Sequence, residues 1–144
     1  TRLILDLAVN AKSRPVPLSD ISKRQNISLK YLEHLTRKLR EAGLIKSQRG
    51  AYGGHMLKKA PADITVGDIV RTLETTTAIT DCAETDDKLC GVCNQAGDCL
   101  SRWVWIEASR AMFERLDEIT VERLVSGSYM KLKGSRDRGS KGPK

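Results

Sequence analysis

The chain opens inside an apolar stretch, Leu3, Leu5, Leu7 and Val9, which reads as the end of a helix over residues 2–11, stopped by turn signals from Asn10 to Pro15. Ser19 is placed as the N-cap of a short helix, SDISKRQ, with Leu18 and Ile21 facing inward and Asn26 ending it. Ser28 then caps a longer helix, SLKYLEHLTRKLREAG. In it Leu29, Leu32, Leu35 and Leu39 form the apolar stripe, and Gly43 is the stop. Two helices across so short a turn, the second amphipathic and basic, predict a helix-turn-helix.

Next, LIKSQ and HMLKK bracket the turn RGAYGG, a pattern that predicts a β-hairpin. Gly50, Gly53 and Gly54 allow positive φ and close backbone approach there. Alone it is a surface hairpin; directly after a helix-turn-helix it is the wing of a winged helix. Pro61 separates it from a further helix, VGDIVRTLE, capped by Thr65 and burying Val66, Ile69, Val70 and Leu73. Downstream, Asp98 is placed as the cap of a helix from about Cys99 to Asp117. Its Leu100, Trp103, Val104, Ile106, Ala108, Ala111, Met112, Phe113 and Leu116 cover more than one face, so it needs a second surface to bury against. A symmetric partner helix is the simplest.

The fold class expected is therefore mainly α with a small β-hairpin wing: a winged helix-turn-helix DNA-binding domain over residues 1–74, a cysteine-rich loop over 75–99, a dimerisation helix with a following short helix over 99–127, and a basic tail over 128–144 expected to be disordered. Natural residues are expected to precede Thr1, since the chain begins within a helix.

Charge adds a partner. The net charge is +7 across 144 residues, which favours an anionic ligand, nucleic acid above all. Part of the excess lies in the tail KLKGSRDRGSKGPK, where a solubilising role and a nonspecific phosphate contact both stay open. On the second helix Lys30, His34 and Arg37 or Lys38 share a face, with Tyr31 near the helix start. Glu33 suits a cytosine amino group, or an ion pair with Arg37. The candidate DNA-contacting set is Ser28, Lys30, Tyr31, Glu33, His34, Arg37 and Lys38 on the helix, and Arg49, Gly50, Tyr52, Gly53, Gly54 and His55 on the wing, against double-stranded operator DNA. No apolar run is long enough to span a membrane and no signal-like segment is present, so a cytoplasmic protein is expected.

All four cysteines, Cys82, Cys90, Cys93 and Cys99, fall in the window DCAETDDKLCGVCNQAGDCL. Clustered thiolates with flexible Gly91, Asn94 and Gly97 between them suit zinc or an iron–sulfur cluster, and a reducing compartment disfavours a disulfide framework. An enzyme is not expected. Cys90-Gly-Val-Cys93 lacks the βαβ surroundings of a thiol oxidoreductase, and neither histidine, His34 or His55, joins a catalytic constellation.

LSDISKRQNISLKYLEHLTRKLREAGLIKSQRGAYGGHMLKK, with VGDIVRTLE, the cysteine loop and CLSRWVW, resembles the IscR/NsrR-type iron–sulfur and nitric-oxide-responsive repressors of the Rrf family over about residues 1–127. The resemblance implies a homodimeric transcription factor whose long helices cross at the interface and whose cysteine loop holds a 2Fe–2S or 4Fe–4S cluster. Cys93 and Cys99 match the family's last two cysteine ligands, and Cys82 is preferred over Cys90 for the first. Some members use a histidine three residues after the last cysteine; here that position is Arg102, so a fourth ligand has to come from Cys90 or from near the partner's N-terminus. His55 stands where the family wing often carries an aromatic residue. A structural zinc or a thiol/disulfide switch is the alternative to the cluster.

Overall fold

Leu3, Ile4 and Leu7 of the first helix, α1 (Arg2–Asn10), meet Ile21 of α2 (Leu18–Gln25) and Leu32 and Leu39 of α3 (Leu29–Glu41) in one buried core. This computed structural model describes residues 1–11, 13–50, 52–83 and 99–127. Cys90, Cys93, Asp98 and the tail therefore lie outside the described residues.

The caps explain the helix ends. Asn26 closes α2 in the left-handed region at φ 52°, Ser28 accepts the Tyr31 N–H at 3.3 Å to start α3, and Gly43 at φ 72° ends it. Ser19 is not the cap of α2. Pro17 takes that place, and its carbonyl accepts the Asp20 and Ile21 N–H groups, while the Ser19 hydroxyl turns to Asp20 Oδ1. Proline loses nothing there, because no intrahelical acceptor exists for its missing N–H. The stripe on α3 also shifts by a position. Leu29 is exposed, and Thr36 is buried with its hydroxyl donating to the Glu33 carbonyl.

β1 (Ile45–Gln48) and β2 (Gly54–Leu57) pair antiparallel, Ile45 opposite Leu57 and Gln48 opposite Gly54. A third extended piece joins them: Val16 exchanges both backbone hydrogen bonds with His55 at 2.9 Å. A 3₁₀ turn at Pro61–Asp63 leads to α4 (Val66–Leu73), which opens with a reciprocal capping box between Thr65 and Asp68. The long helix α5 spans Leu100–Asp117 with Cys99 in the N-cap position, where its side chain makes no capping hydrogen bond.

A short α6 (Val121–Val125) returns to pack on α1, and Val121 is fully buried among the same core residues. The core of the winged helix is thus closed by chain from beyond residue 74.

One polar group sits inside that core. Asp6 on α1 is buried, and its carboxylate accepts from Arg24 at 2.7 and 3.1 Å, Gln25 at 2.8 Å and Asn10 at 3.2 Å, tying α1 to α2. Burial alone raises its pKa, but the Arg24, Gln25 and Asn10 hydrogen bonds outweigh this and hold the carboxyl below its ordinary value. The stabilisation is complete above the ordinary carboxylate pKa of about 3.9 and is lost as pH falls through the lowered folded value. Asp6→Ala is expected to cost about 2–3 kcal/mol at pH 7, the range for hydrogen bonds to a charged group, since half-exposed Arg24 regains water. Urea unfolding at pH 7 and at a series of lower pH values checks both points: the gap from wild type narrows as the solution is acidified below the ordinary carboxylate pKa.

Candidate nucleic-acid interface and cysteine junction

The amphipathic pattern of α3 leaves Lys30 and Arg37 on the strip opposite its buried leucines, with Glu33 exposed beside them. Arg37 donates to His34 Nδ1 at 3.4 Å and forms no ion pair with Glu33, whose carboxylate stays open to solvent. Ser28 serves the helix as its cap. Tyr31, His34 and Lys38 instead line a groove of about 580 Å³ between α3, α1 and the end of α4. The Lys38 ammonium donates to the Leu73 carbonyl at 3.0 Å, so it ties α3 to the last turn of α4 and does not share the outward strip with Lys30.

On the wing, Arg49 is exposed and Tyr52 is 91% exposed at the tip, with the turn closed by the Gly53 N–H on the Gly50 carbonyl at 2.9 Å. Gly50, at φ 115°, is in a region that favours glycine. At Gly53 a Cβ would lie 2.5 Å from the Gln48 carbonyl oxygen, and at Gly54 2.5 Å from the Val16 carbonyl group. His55 is half-buried, its ring hydrogen-bonded to Ser47 at 3.0 Å. Burial, reinforced by the Arg40 charge, holds its pKa below the ordinary value, so the ring is neutral at pH 7.

Sequence reasoning passed over Arg14, which is exposed and lines a 350 Å³ groove together with Tyr52 and Gly53. The signal was present in Pro15-Val16-Pro17, where two prolines hold a β-branched residue extended and ready to pair.

Segment 79–83 meets α5 at Ser109 and Arg102. Arg102, Ile106, Ser109, Phe113 and Leu116 recur at helical spacing and face the protein, while Leu100, Trp103 and Val104 stand outward at 89%, 66% and 56% exposure. Cys82 lies in a 3₁₀ turn (Asp81–Ala83), its carbonyl receiving the Arg102 Nε–H at 2.6 Å and its thiol 3.4 Å from the Thr80 hydroxyl. Cys99 Sγ is 3.0 Å from the Ser101 hydroxyl. That hydrogen bond, helped by the Arg102 backbone N–H, lowers the Cys99 pKa toward thiolate. Cys82 and Cys99 are free thiols, and among the described residues no group of three or more His, Cys, Asp or Glu is gathered as a metal site.

The far end of α5 is fastened to α4. Asp117 accepts both guanidinium N–H groups of Arg71, one at 2.7 Å, and Arg71 lies 4.7 Å over the Phe113 ring. Gly67 makes room for that pair, since a Cβ there would fall 1.8 Å from Asp117 Oδ1. Arg71 also holds the Asp117 carboxyl below its ordinary pKa.

A family model described as an iron-dependent transcriptional regulator, Rrf2, matches residues 1–127. The chain belongs to the Rrf2 family. Protein Rrf2 of Nitratidesulfovibrio vulgaris is 42% identical over 125 residues, covering 87% of this chain and 81% of that protein. Among solved structures, IscR of T. potens superposes with a TM-score of 0.69 at 35% identity, covering 88% of this chain and 80% of that one. CymR, the global cysteine regulator of B. subtilis, superposes with a TM-score of 0.67 at 38% identity, covering 87% and 88%. As an Rrf2-type protein the chain is a winged-helix, DNA-binding transcriptional regulator and not an enzyme. No helix of this Rrf2-family chain, among the described residues, is long and apolar enough to cross a membrane.

Proposed function

We propose that the chain is a cytoplasmic homodimeric repressor whose hold on a two-fold operator responds to an iron–sulfur cluster bound by Cys82, Cys93 and Cys99, with Cys90 the candidate fourth ligand. One observation carries this reading: α5 begins at Cys99 and is clamped at its other end, through Asp117 and Arg71, to α4, the helix packed on α3. A change at the cysteine end of α5 therefore reaches the DNA-facing helix through rigid elements. The donor chemistry fits, since the cysteines supply soft thiolates and both described ones sit where segment 79–83 meets α5. When bound, such a cluster supplies a centre sensitive to oxidants, nitric oxide and iron supply.

In this scheme Lys30, Glu33 and Arg37 face the major groove, while Arg49 and Tyr52 present the wing to the backbone or the adjacent groove. The exposed face of α5 meets its copy and sets the distance between the two α3 helices. The cluster matters only through differential affinity for two placements of those helices.

Protein purified without oxygen is expected to be coloured, with iron and sulfide in stoichiometric amounts. Its affinity for an operator selected from random double-stranded DNA is expected to change at least about tenfold when the metal is stripped, within the usual range of coupling energies. Equal affinity of loaded and stripped protein would sink the sensing scheme. A colourless protein holding one zinc per chain would replace the sensor by a structural site.

A second reading has its own support. The Cys99 thiol, at the half-buried N-cap of α5, is drawn toward thiolate by Ser101, and the chain resembles a global cysteine regulator. A thiol-based switch predicts metal-free protein whose operator affinity falls on treatment with peroxide and returns with a reducing thiol.

A further inference from the structure

Segment 79–83 is laid down along α5. The Ile79 N–H donates to Ser109 Oγ at 3.0 Å, Ser109 donates on to the Trp105 carbonyl at 2.7 Å, and two turns nearer the helix start Arg102 Nε donates to the Cys82 carbonyl at 2.6 Å. The segment thus descends toward the N-terminus of α5, where Cys99 is the N-cap and the Arg102 N–H bonds the Cys99 carbonyl at 3.1 Å. Arg102 touches the backbone of both cysteines, twenty and three residues away in sequence.

We propose that Arg102 is a positioning residue for the metal site: its guanidinium fixes the Cys82 backbone against the first turn of α5, beside Cys99, and keeps a permanent cation next to the thiolates. This rests on the reading of the cysteines as metal ligands. A guanidinium stays protonated at any working pH, so it cannot coordinate a metal. It can orient a ligand from outside the coordination sphere and offset the charge that gathered thiolates concentrate.

The test is cobalt(II) binding to the full chain without oxygen, read by thiolate-to-cobalt charge-transfer absorption, in wild type, Arg102→Lys and Arg102→Gln. Arg102→Gln is expected to bind about tenfold more weakly, the lower end for loss of an outer contact to a ligand. Arg102→Lys, which keeps the charge without the fixed fork, falls between. In the metal-free wild type, the Arg102 Nε–H resonance is expected to exchange more slowly with water than those of exposed arginines. Thermal unfolding of each variant separates lost folding from lost positioning. The proposal is overturned if Arg102→Gln takes up cobalt with wild-type affinity and spectrum, whether or not its stability falls. Wild type that binds no cobalt overturns the metal reading together with the proposal; wild type that binds while both variants match it overturns the proposal alone.

Discussion

In the proposed homodimer, replacing Trp103 by glutamate is expected to give monomers and to abolish tight operator binding. Trp103 is 66% exposed in the single chain, on the same outward strip as Leu100 and Val104. A face this apolar on an 18-residue helix has no covering element among the described residues. In a two-fold dimer each substitution occurs twice, so two indoles are lost and two carboxylates are placed in an apolar contact. At about 2 kcal/mol for each buried aromatic, the dimer weakens by at least about 4 kcal/mol, or roughly a thousandfold. Operator affinity then loses the gain from simultaneous engagement of two half-sites, about 10²–10⁴-fold.

Sedimentation equilibrium and fluorescence anisotropy with a two-fold operator measure the two quantities. Helix content is expected to persist, because glutamate is a good helix former and position 103 makes no contribution to the buried core. A Trp103→Glu protein that stays dimeric at micromolar concentration rules out this face as the interface.

Gly54→Ala is expected to be the most damaging change in the wing. The new methyl would sit 2.5 Å from the Val16 carbonyl carbon and oxygen and 2.9 Å from the Pro17 nitrogen, all backbone atoms that no rotamer change can move. Relief requires β2 to separate from residues 15–17. That breaks the paired Val16 and His55 hydrogen bonds next door and draws Val16 out of the core. Overpacking of about 1–3 kcal/mol with two hydrogen bonds of about 1 kcal/mol each gives a loss of about 3–5 kcal/mol. Because β2 carries the wing, operator affinity is expected to fall as well. Urea unfolding reads the first effect, and anisotropy at a temperature where the variant is folded reads the second. Unchanged stability would mean that the backbone at 16–17 yields easily.

Much of this architecture was legible because it is built from contacts within a few residues. Ser28 three residues before Tyr31, Thr65 three before Asp68, and Asn26 and Gly43 in left-handed backbone are decided by the local chain. The hairpin around Gly50 is local in the same sense. The Rrf-type resemblance rested on that order of elements, and the family assignment over residues 1–127 agrees with it. The double-sided apolar pattern of α5 was equally readable, since helical spacing alone assigns Ile106, Phe113 and Leu116 to one side and Leu100, Trp103 and Val104 to the other.

What the pattern concealed lies in pairs far apart in sequence. Asp6 looks like an ordinary surface acid between leucines until Arg24 and Gln25, eighteen and nineteen residues on, are folded over it. Lys38 reads as another basic residue of the DNA-facing helix, yet its ammonium is committed to Leu73, thirty-five residues away. Arg71 and Asp117 are forty-six apart, and Arg102 reaches back twenty to Cys82.

The amino-acid sequence by itself determined the helices, the wing, the clustered thiols and the family, because backbone capping, hydrophobic spacing and ligand chemistry are properties of short segments. Only the tertiary structure decided which charges are spent on holding helices together and which stay exposed to solvent. It also decided that the helix starting at Cys99 ends locked to α4. A long-range hydrogen bond exists only once the core has brought its two ends within 3 Å, and no local signal records that distance.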